Sequence, residues 1–412
     1  MMRKIFLYLA SIEIWVVGFG VAASFASERF LPLVVGIIVF FGLIRWVAYG
    51  RFSKRTSADF PIILLIFMLF VTMSVTGSIP ITLPQVLRLL TGIGLYFTIL
   101  NRTTTIHRMR LIIRGLWVAG SLLALYAFIS VPWNSNKLVV IPGSLYSHFK
   151  LLVGDLVNPN VMAGTLILFL PIALGLLFFN ASHLRSFDLM LTSFTVFITI
   201  IVIVLSQSRG GILAVVETFA LMIALRWRRG WWLVVGIGFS ICLFMVLQGS
   251  YTIITDTFAI NSFNGIDGRV EIWSRAVYMI KDFPFTGVGM GSYDRVAGLL
   301  YPFFSSGNNS HYHAHNIFLQ IAVDLGIPGL IAWLAILFLI VLHSWQIFRH
   351  GLEMGDTWIK GLGAGFLCSQ IALVSQGMLD VATWGGIKSA PLVWLIWGVI
   401  VAGWFVYGRS KD

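Results

Sequence analysis

Long apolar runs alternate with short polar breaks along almost the whole chain, near residues 5–24, 30–49, 60–77, 84–100, 110–132, 160–179, 187–206, 210–226, 231–248, 316–344, 360–378 and 389–407. Most are close to the roughly 20 residues a helix needs to cross a bilayer core. The pattern therefore predicts an all-α polytopic membrane protein with about 12 transmembrane helices. Two connections, residues 133–159 and 249–315, are longer than a hairpin needs. In the second, Val270, Ile272, Trp273, Ala276, Val277 and Ile280 recur at helical spacing, which predicts a helix over 268–282 along or near the membrane surface. Pro284, Gly287, Gly289 and Gly291 end it in a glycine-rich turn. Gly326, Ile327, Pro328 and Gly329 interrupt the run that begins at Ile317, and a break at membrane depth has to be packed in protein or line a cavity. The chain thus divides into an N-terminal bundle (1–132), further spans with a first outer loop (133–248), a large partly helical outer loop (249–315) and C-terminal helices (316–412).

Composition removes the soluble alternative. Of 412 residues 58% are hydrophobic and only 11% charged, and the mean hydropathy is +0.92, whereas soluble domains carry about 25% charged residues. The net charge of +12 would point to nucleic acid in a soluble domain. Here it follows the positive-inside rule: Arg51, Lys54 and Arg55, then Arg102 and Arg108, Arg185, Arg228 and Arg229, Arg349, and Arg409 with Lys411 fall in alternate gaps. Both termini are expected in the cytoplasm and both long loops on the outer, periplasm-like side, with the lipid bilayer as partner and no nucleic acid. Cys242 and Cys368 lie in separate apolar runs and define neither a disulfide framework nor a thiolate metal site. The N-terminus imitates a secretory signal ending near Ala22 to Ser27, but its apolar stretch is too long and Glu13 interrupts it.

Candidate chemistry gathers on the outer side. Ser206, Gln207, Ser208, Arg209, Gly210 and Gly211 join two spans with almost no loop. An arginine there can snorkel to headgroups. Beside small residues and a glycine pair that allow close backbone approach, its planar fork also suits phosphate oxygens. Arg269 follows the turn signal Asp267, Gly268 and stands near a helix start that favours anions, although Glu271 with Arg275 is the spacing of an ordinary solvated helix. His311, His313 and His315 precede Asn316, where the long span opens. A zinc site would need a further ligand, and no cysteine, His-Glu-x-x-His pattern or acidic cluster adjoins them. A neutral imidazole is the natural base for a hydroxyl. Among the intramembrane charges Glu13, Arg45, Arg88, Arg114, Glu217 and Asp324, Arg45 and Arg114 lie near span ends and can snorkel, Glu13 and Glu217 are expected in structural pairs, and Arg88 can extend an anion-binding surface with Arg209. Asp155, Asn158 and Asn160 form a turn whose plain role is to cap the next helix.

The order of these motifs resembles the O-antigen ligase and polymerase superfamily of membrane glycosyltransferases. The carrying residues are Asn158, Pro159, Asn160 and Ala163, then Ser208, Arg209 and Gly210, then Gly268, Arg269 and Trp273, the run from Asp282 through Gly287 and Gly289 to Gly291, and finally His315, Asn316, Gly326 and Gly329, across roughly residues 155–345. The resemblance implies a GT-C-like fold in a bacterial inner membrane, with its site on the periplasmic face. It implies transfer of an undecaprenyl-diphosphate-linked glycan, with inversion and with no metal or other cofactor. The acceptor is a lipid A-core in a ligase and a second lipid-linked repeat unit in a polymerase. Carried over by motif, Arg209 and Arg269 hold the diphosphate, His315 is the base, and Arg88, Arg275, Asn316 and His313 are further substrate-binding candidates. A transporter or flippase would instead string Glu13, Arg88, Glu217 and Asp324 through the midplane, and a scaffold gives no reason for Arg209, Arg269 and His315 to converge.

Overall fold

A computed structural model describes residues 2–133, 155–232, 266–303 and 313–408, with residues 146, 149, 151–153, 234–236 and 238 between them. Most of the span expected at 231–248, and with it Cys242, lies outside these residues, as do Asp256, His311, Arg409 and Lys411. The described chain is helical without strands: α1 (Met2–Ala26), α2 (Leu31–Tyr49), α3 (Asp59–Val75), α4 (Ile79–Arg102), α5 (Ile106–Ser130), α6 (Pro159–Leu166), α7 (Leu170–Asn180), α8 (Ser186–Ser206), α9 (Arg209–Arg226), α10 (Ile266–Asp282), α11 (Tyr293–Leu300), α12 (Ile317–Glu353), α13 (Thr357–Leu379) and α14 (Pro391–Tyr407). Among the described residues eight stretches are long and apolar enough to cross a membrane, with α6 and α7 counted as one, and α3 and α14 are shorter apolar helices. Large side chains such as Trp15, Phe19, Phe60, Phe70 and Phe197 stand exposed on them, as lipid-facing surfaces require.

Two elements depart from the sequence reading. The run 160–179 is not one helix, because Pro171 lacks an N–H and its ring crowds the carbonyl four residues back, so the chain breaks between α6 and α7. The long run from Ile317 extends to Glu353.

The expected interruption of α12 falls at Gly326, whose φ of 71° and ψ of 179° break the helix. The glycine turn after α10 fills that break. Val288 N–H donates to the Val323 carbonyl at 2.8 Å, and Ile327 N–H donates to the Pro284 carbonyl at 2.7 Å. The interruption is therefore packed in protein, and the backbone groups it releases find partners. α10, α11 and the head of α12 enclose a small second core around Ile272, Ala276, Met279, Tyr293 and Val323.

Of the two acids expected in structural pairs, Glu13 has a cationic partner and Glu217 a hydroxyl. Glu13 binds Arg45 and accepts from Thr98 Oγ1 at 2.9 Å. Arg45 is 6% exposed, so it does not snorkel. Arg114 makes a bidentate pair with Asp188 at 2.7 and 2.8 Å. Glu217 accepts a hydrogen bond from Ser375.

Candidate active site

The α8–α9 hairpin, the start of α12 and the end of α13 meet at one end of the bundle. Only Gln207 and Ser208 separate α8 from α9. Gln207 takes the left-handed conformation at φ 49°, sparsely populated for a residue with a Cβ. Ser208 Oγ caps α9 by accepting from the Gly211 N–H at 3.3 Å. A methyl group on Gly210 would lie 2.0 Å from Gln376 Oε1, and one on Gly211 would lie 2.8 Å from Ala163 Cβ. The glycine pair thus lets α9 press against α13 and α6; the space it clears is taken by protein, not by a ligand as the sequence reading had it. Arg209 is the first residue of α9 and is exposed.

His315 is the second non-glycine residue with positive φ, at 47°. Asn316 caps α12, its Oδ1 accepting from the N–H groups of Phe318 and Leu319 at 3.0 and 3.1 Å, while its Nδ2 donates to the Met378 carbonyl at 3.2 Å. That bond ties the start of α12 to the end of α13 and brings Asp380 beside His315, with Nδ1 and Oδ1 3.1 Å apart. His313 Nδ1 accepts from the His315 N–H at 3.2 Å. Its Nε2 stands 4.0 Å from Asp380 Oδ1, and the two imidazole centroids are 4.2 Å apart. Burial pushes the Asp380 carboxyl up, but the hydrogen bond with His315 and the charges of His313 and His315 outweigh it and hold the group below its ordinary value.

Arg269 sits in the first turn of α10 and is half-buried. Burial lowers its pKa, Asp380 acts to raise it and Arg209 to lower it again, with a net depression. It remains a cation at neutral pH. Arg269 thus feels the charges of both Arg209 and Asp380, and Asp380 in turn holds His315.

The other candidates stand apart from this group. Arg88 is 3% exposed and donates to Glu28 at 2.5 Å and to the Gly385 carbonyl at 3.3 Å. Arg275 is committed to the second core, bonded to Glu271 at 3.2 Å and set over the rings of Tyr278 and Phe303. Asn158 caps α6 by accepting from the Asn160 N–H at 2.8 Å.

Asp380 is the residue that sequence reasoning missed. It lies 65 positions beyond His315, in the short polar break between α13 and α14; its signal is an acid in a break at the same end of the bundle as the histidines. It also supplies the acidic ligand that the histidine run lacked. His313, His315 and Asp380 bring one ligand atom each to within 4.8 Å of one another, a group able to hold a divalent cation.

Residues 194–334 match the O-antigen ligase family model. No curated protein matches the chain. The matched segment runs from α8 into α12 and holds Arg209, Arg269, His315 and the glycine turn. It bears out the resemblance over a narrower stretch than 155–345 and leaves Asp380 outside. With its apolar helices, the chain is a multi-pass membrane protein that carries an O-antigen ligase-type segment.

Proposed function

We propose that the protein transfers a glycan from undecaprenyl diphosphate to an acceptor hydroxyl at the periplasmic face of a bacterial inner membrane, as an O-antigen ligase. The supporting observation is the convergence of Arg209 and Arg269, two like charges on separate elements, beside a His315–Asp380 pair. Two neighbouring guanidinium groups repel each other until an anion lies between them, and a diphosphate presents the oxygens their forks suit. His315 Nδ1–H donates to the Asp380 carboxylate, which leaves the Nε2 lone pair to accept a proton. The acceptor hydroxyl gives its proton to Nε2 as its oxygen bonds to the anomeric carbon from the face opposite the carrier. The bond from that carbon to the diphosphate breaks, and its electron pair leaves with the diphosphate. Inversion follows from this geometry. A diphosphate departs without needing a proton, so the main demand is stabilisation of negative charge, which fixed cations meet.

One observation favours a second form of the chemistry. The group His313, His315 and Asp380 has the donor set of a zinc site, where a bound cation would lower the pKa of a coordinated hydroxyl. Reconstitution with an undecaprenyl-diphosphate glycan tests both forms. Transfer unaffected by EDTA supports the imidazole base, and transfer lost to EDTA and restored by Zn²⁺ supports the metal. Lipid A-core and lipid-linked repeat units, offered in parallel, separate ligase from polymerase, and no transfer to either sinks the proposal.

A further inference from the structure

A cavity of about 360 Å³ opens beside the histidines, walled by α4, the glycine turn, α11, the head of α12 and the segment after Asp380. Its volume is at the small end of ligand pockets, which run from roughly 300 to 1,000 Å³. Part of its wall is a closed framework. Asp324 accepts from Gln320 Nε2 at 2.9 Å, from Trp384 Nε1 at 2.8 Å and from the Gly291 N–H at 3.3 Å, and Gln320 Oε1 accepts from the Ala314 N–H at 2.8 Å. These groups are satisfied and hold their places without a ligand.

Two other wall residues differ. Gln85 and Asp294 both line the cavity, and neither side chain makes a hydrogen bond or ion pair among the described residues. Gln85 is accommodated by backbone that has no side chains: a methyl group on Gly291 would lie 1.9 Å from its Nε2, and one on Gly385 would lie 2.8 Å from its Oε1. The two glycines thus leave room for the amide, which lines the cavity half-buried and without a hydrogen bond to the described protein groups. Neither Arg209 nor Arg269 lines the cavity; the arginine that does, Arg295, is exposed, donates to the Gly77 carbonyl and adjoins the Asp294 carboxylate, so the cavity lacks the arginine pair assigned to the donor diphosphate. His313 does line it, and its ring centroid is 4.2 Å from that of His315.

We infer that this cavity binds a sugar unit of the acceptor, with Gln85 and Asp294 reading its hydroxyl groups. A sugar ring matches the walls: its C–H faces suit Ile81, Val381 and Ile387, and its hydroxyls suit an amide that both donates and accepts and a carboxylate that accepts. A site built to bond a hydroxyl discriminates strongly against ligands that lack it. The assignment of the sugar as acceptor rests on the glycosyl-transfer reading above.

Two measurements on the full-length protein in nanodiscs test it. In the first, Gln85→Cys is made in a chain with Cys242 and Cys368 replaced by Ser, and its maleimide labelling rate is followed. Lipid A-core or an undecaprenyl-diphosphate-linked repeat unit should slow labelling at least about 5-fold, and undecaprenyl diphosphate without sugar should leave it unchanged. Slowing by the bare carrier, or by neither glycan, overturns the inference. In the second, Gln85→Leu and Asp294→Asn should each raise the acceptor KM about 10-fold with donor KM unchanged, the loss of one hydrogen bond to a buried ligand group. A rise in donor KM, or no change, overturns it. Glycan protection of the Gln85→Cys chain, together with a wild-type protein that transfers nothing, would sink the reaction and leave the sugar site standing.

Discussion

At the residue scale the two positive-φ side chains locate the chemistry. Gln207 and His315 each hold a conformation that costs about 1 kcal/mol or more without glycine, and each adjoins a proposed functional group. Arg209 and Arg269 were legible because they fall on the side that the charge pattern expects to be poor in arginine, and His315 because three histidines open a span. Asp380 was not legible, because what marks it is a spatial contact across α12 and α13. Its replacement is the sharper test. Asp380→Asn keeps the shape but can hold His315 in the tautomer whose Nε2 carries the proton, so kcat should fall by about 10² to 10⁴ with donor KM little changed. Unchanged kcat would remove Asp380 from the mechanism. The carboxyl titrates below its ordinary value, so the stability it contributes is complete above that value and is lost only as the pH falls through the lower one. At pH 7 the wild type therefore holds the whole of that contribution and Asp380→Asn lacks it, so kcat is compared per folded molecule. Arg209→Ala and Arg269→Ala should each lower transfer at least about 100-fold at normal abundance, with Lys restoring only part, because a point charge cannot reproduce the fork. Full transfer by either Ala variant removes that arginine from the clamp.

At the element scale the decisive contact joins the loop to a broken span. The break in α12 could be read from Gly326, Pro328 and Gly329. The turn that fills it could not be matched to it from sequence, since the match depends on backbone carbonyls meeting N–H groups some 40 residues away. The break between α6 and α7 was missed for a simpler reason: an apolar run looks continuous in hydropathy even where Pro171 interrupts its hydrogen bonds. Gly326→Ala tests the interlock. Gly326 has φ 71°, and a methyl group there would lie 2.7 Å from the Phe285 carbonyl carbon. Strain and overpacking together should cost about 2 kcal/mol or more, read as a lower midpoint of thermal unfolding in detergent. Gly36→Ala on α2, where nothing lies within 4 Å, is the control and should not lower the midpoint, since Ala is the better helix former. Equal midpoints for the two variants would mean that the turn does not hold the break.

For the whole molecule, the buried charges bear on the transporter reading. A transporter needs Glu13, Arg88, Glu217 and Asp324 to form a path, and each instead closes on local partners: Glu13 on Arg45 and Thr98, Arg88 on Glu28, Glu217 on Ser375, and Asp324 on Gln320 and Trp384. Glu13 is fully buried and its partner nearly so, so removing one member strands a charge in the bundle. Glu13→Gln should therefore destabilise the protein by about 3 kcal/mol, and Glu13→Gln combined with Arg45→Met should recover much of that loss, because the pair removed together leaves no orphan. Transfer per folded molecule should stay the same in both, since the pair joins α1 to α2, elements that contribute none of Arg209, Arg269, His315 or Asp380. Folded fraction measured by size exclusion and transfer normalised to it provide the check. A Glu13→Gln protein that folds fully yet loses transfer would show that this carboxylate takes part in function, and the charges of the bundle would then have to be read as a pathway.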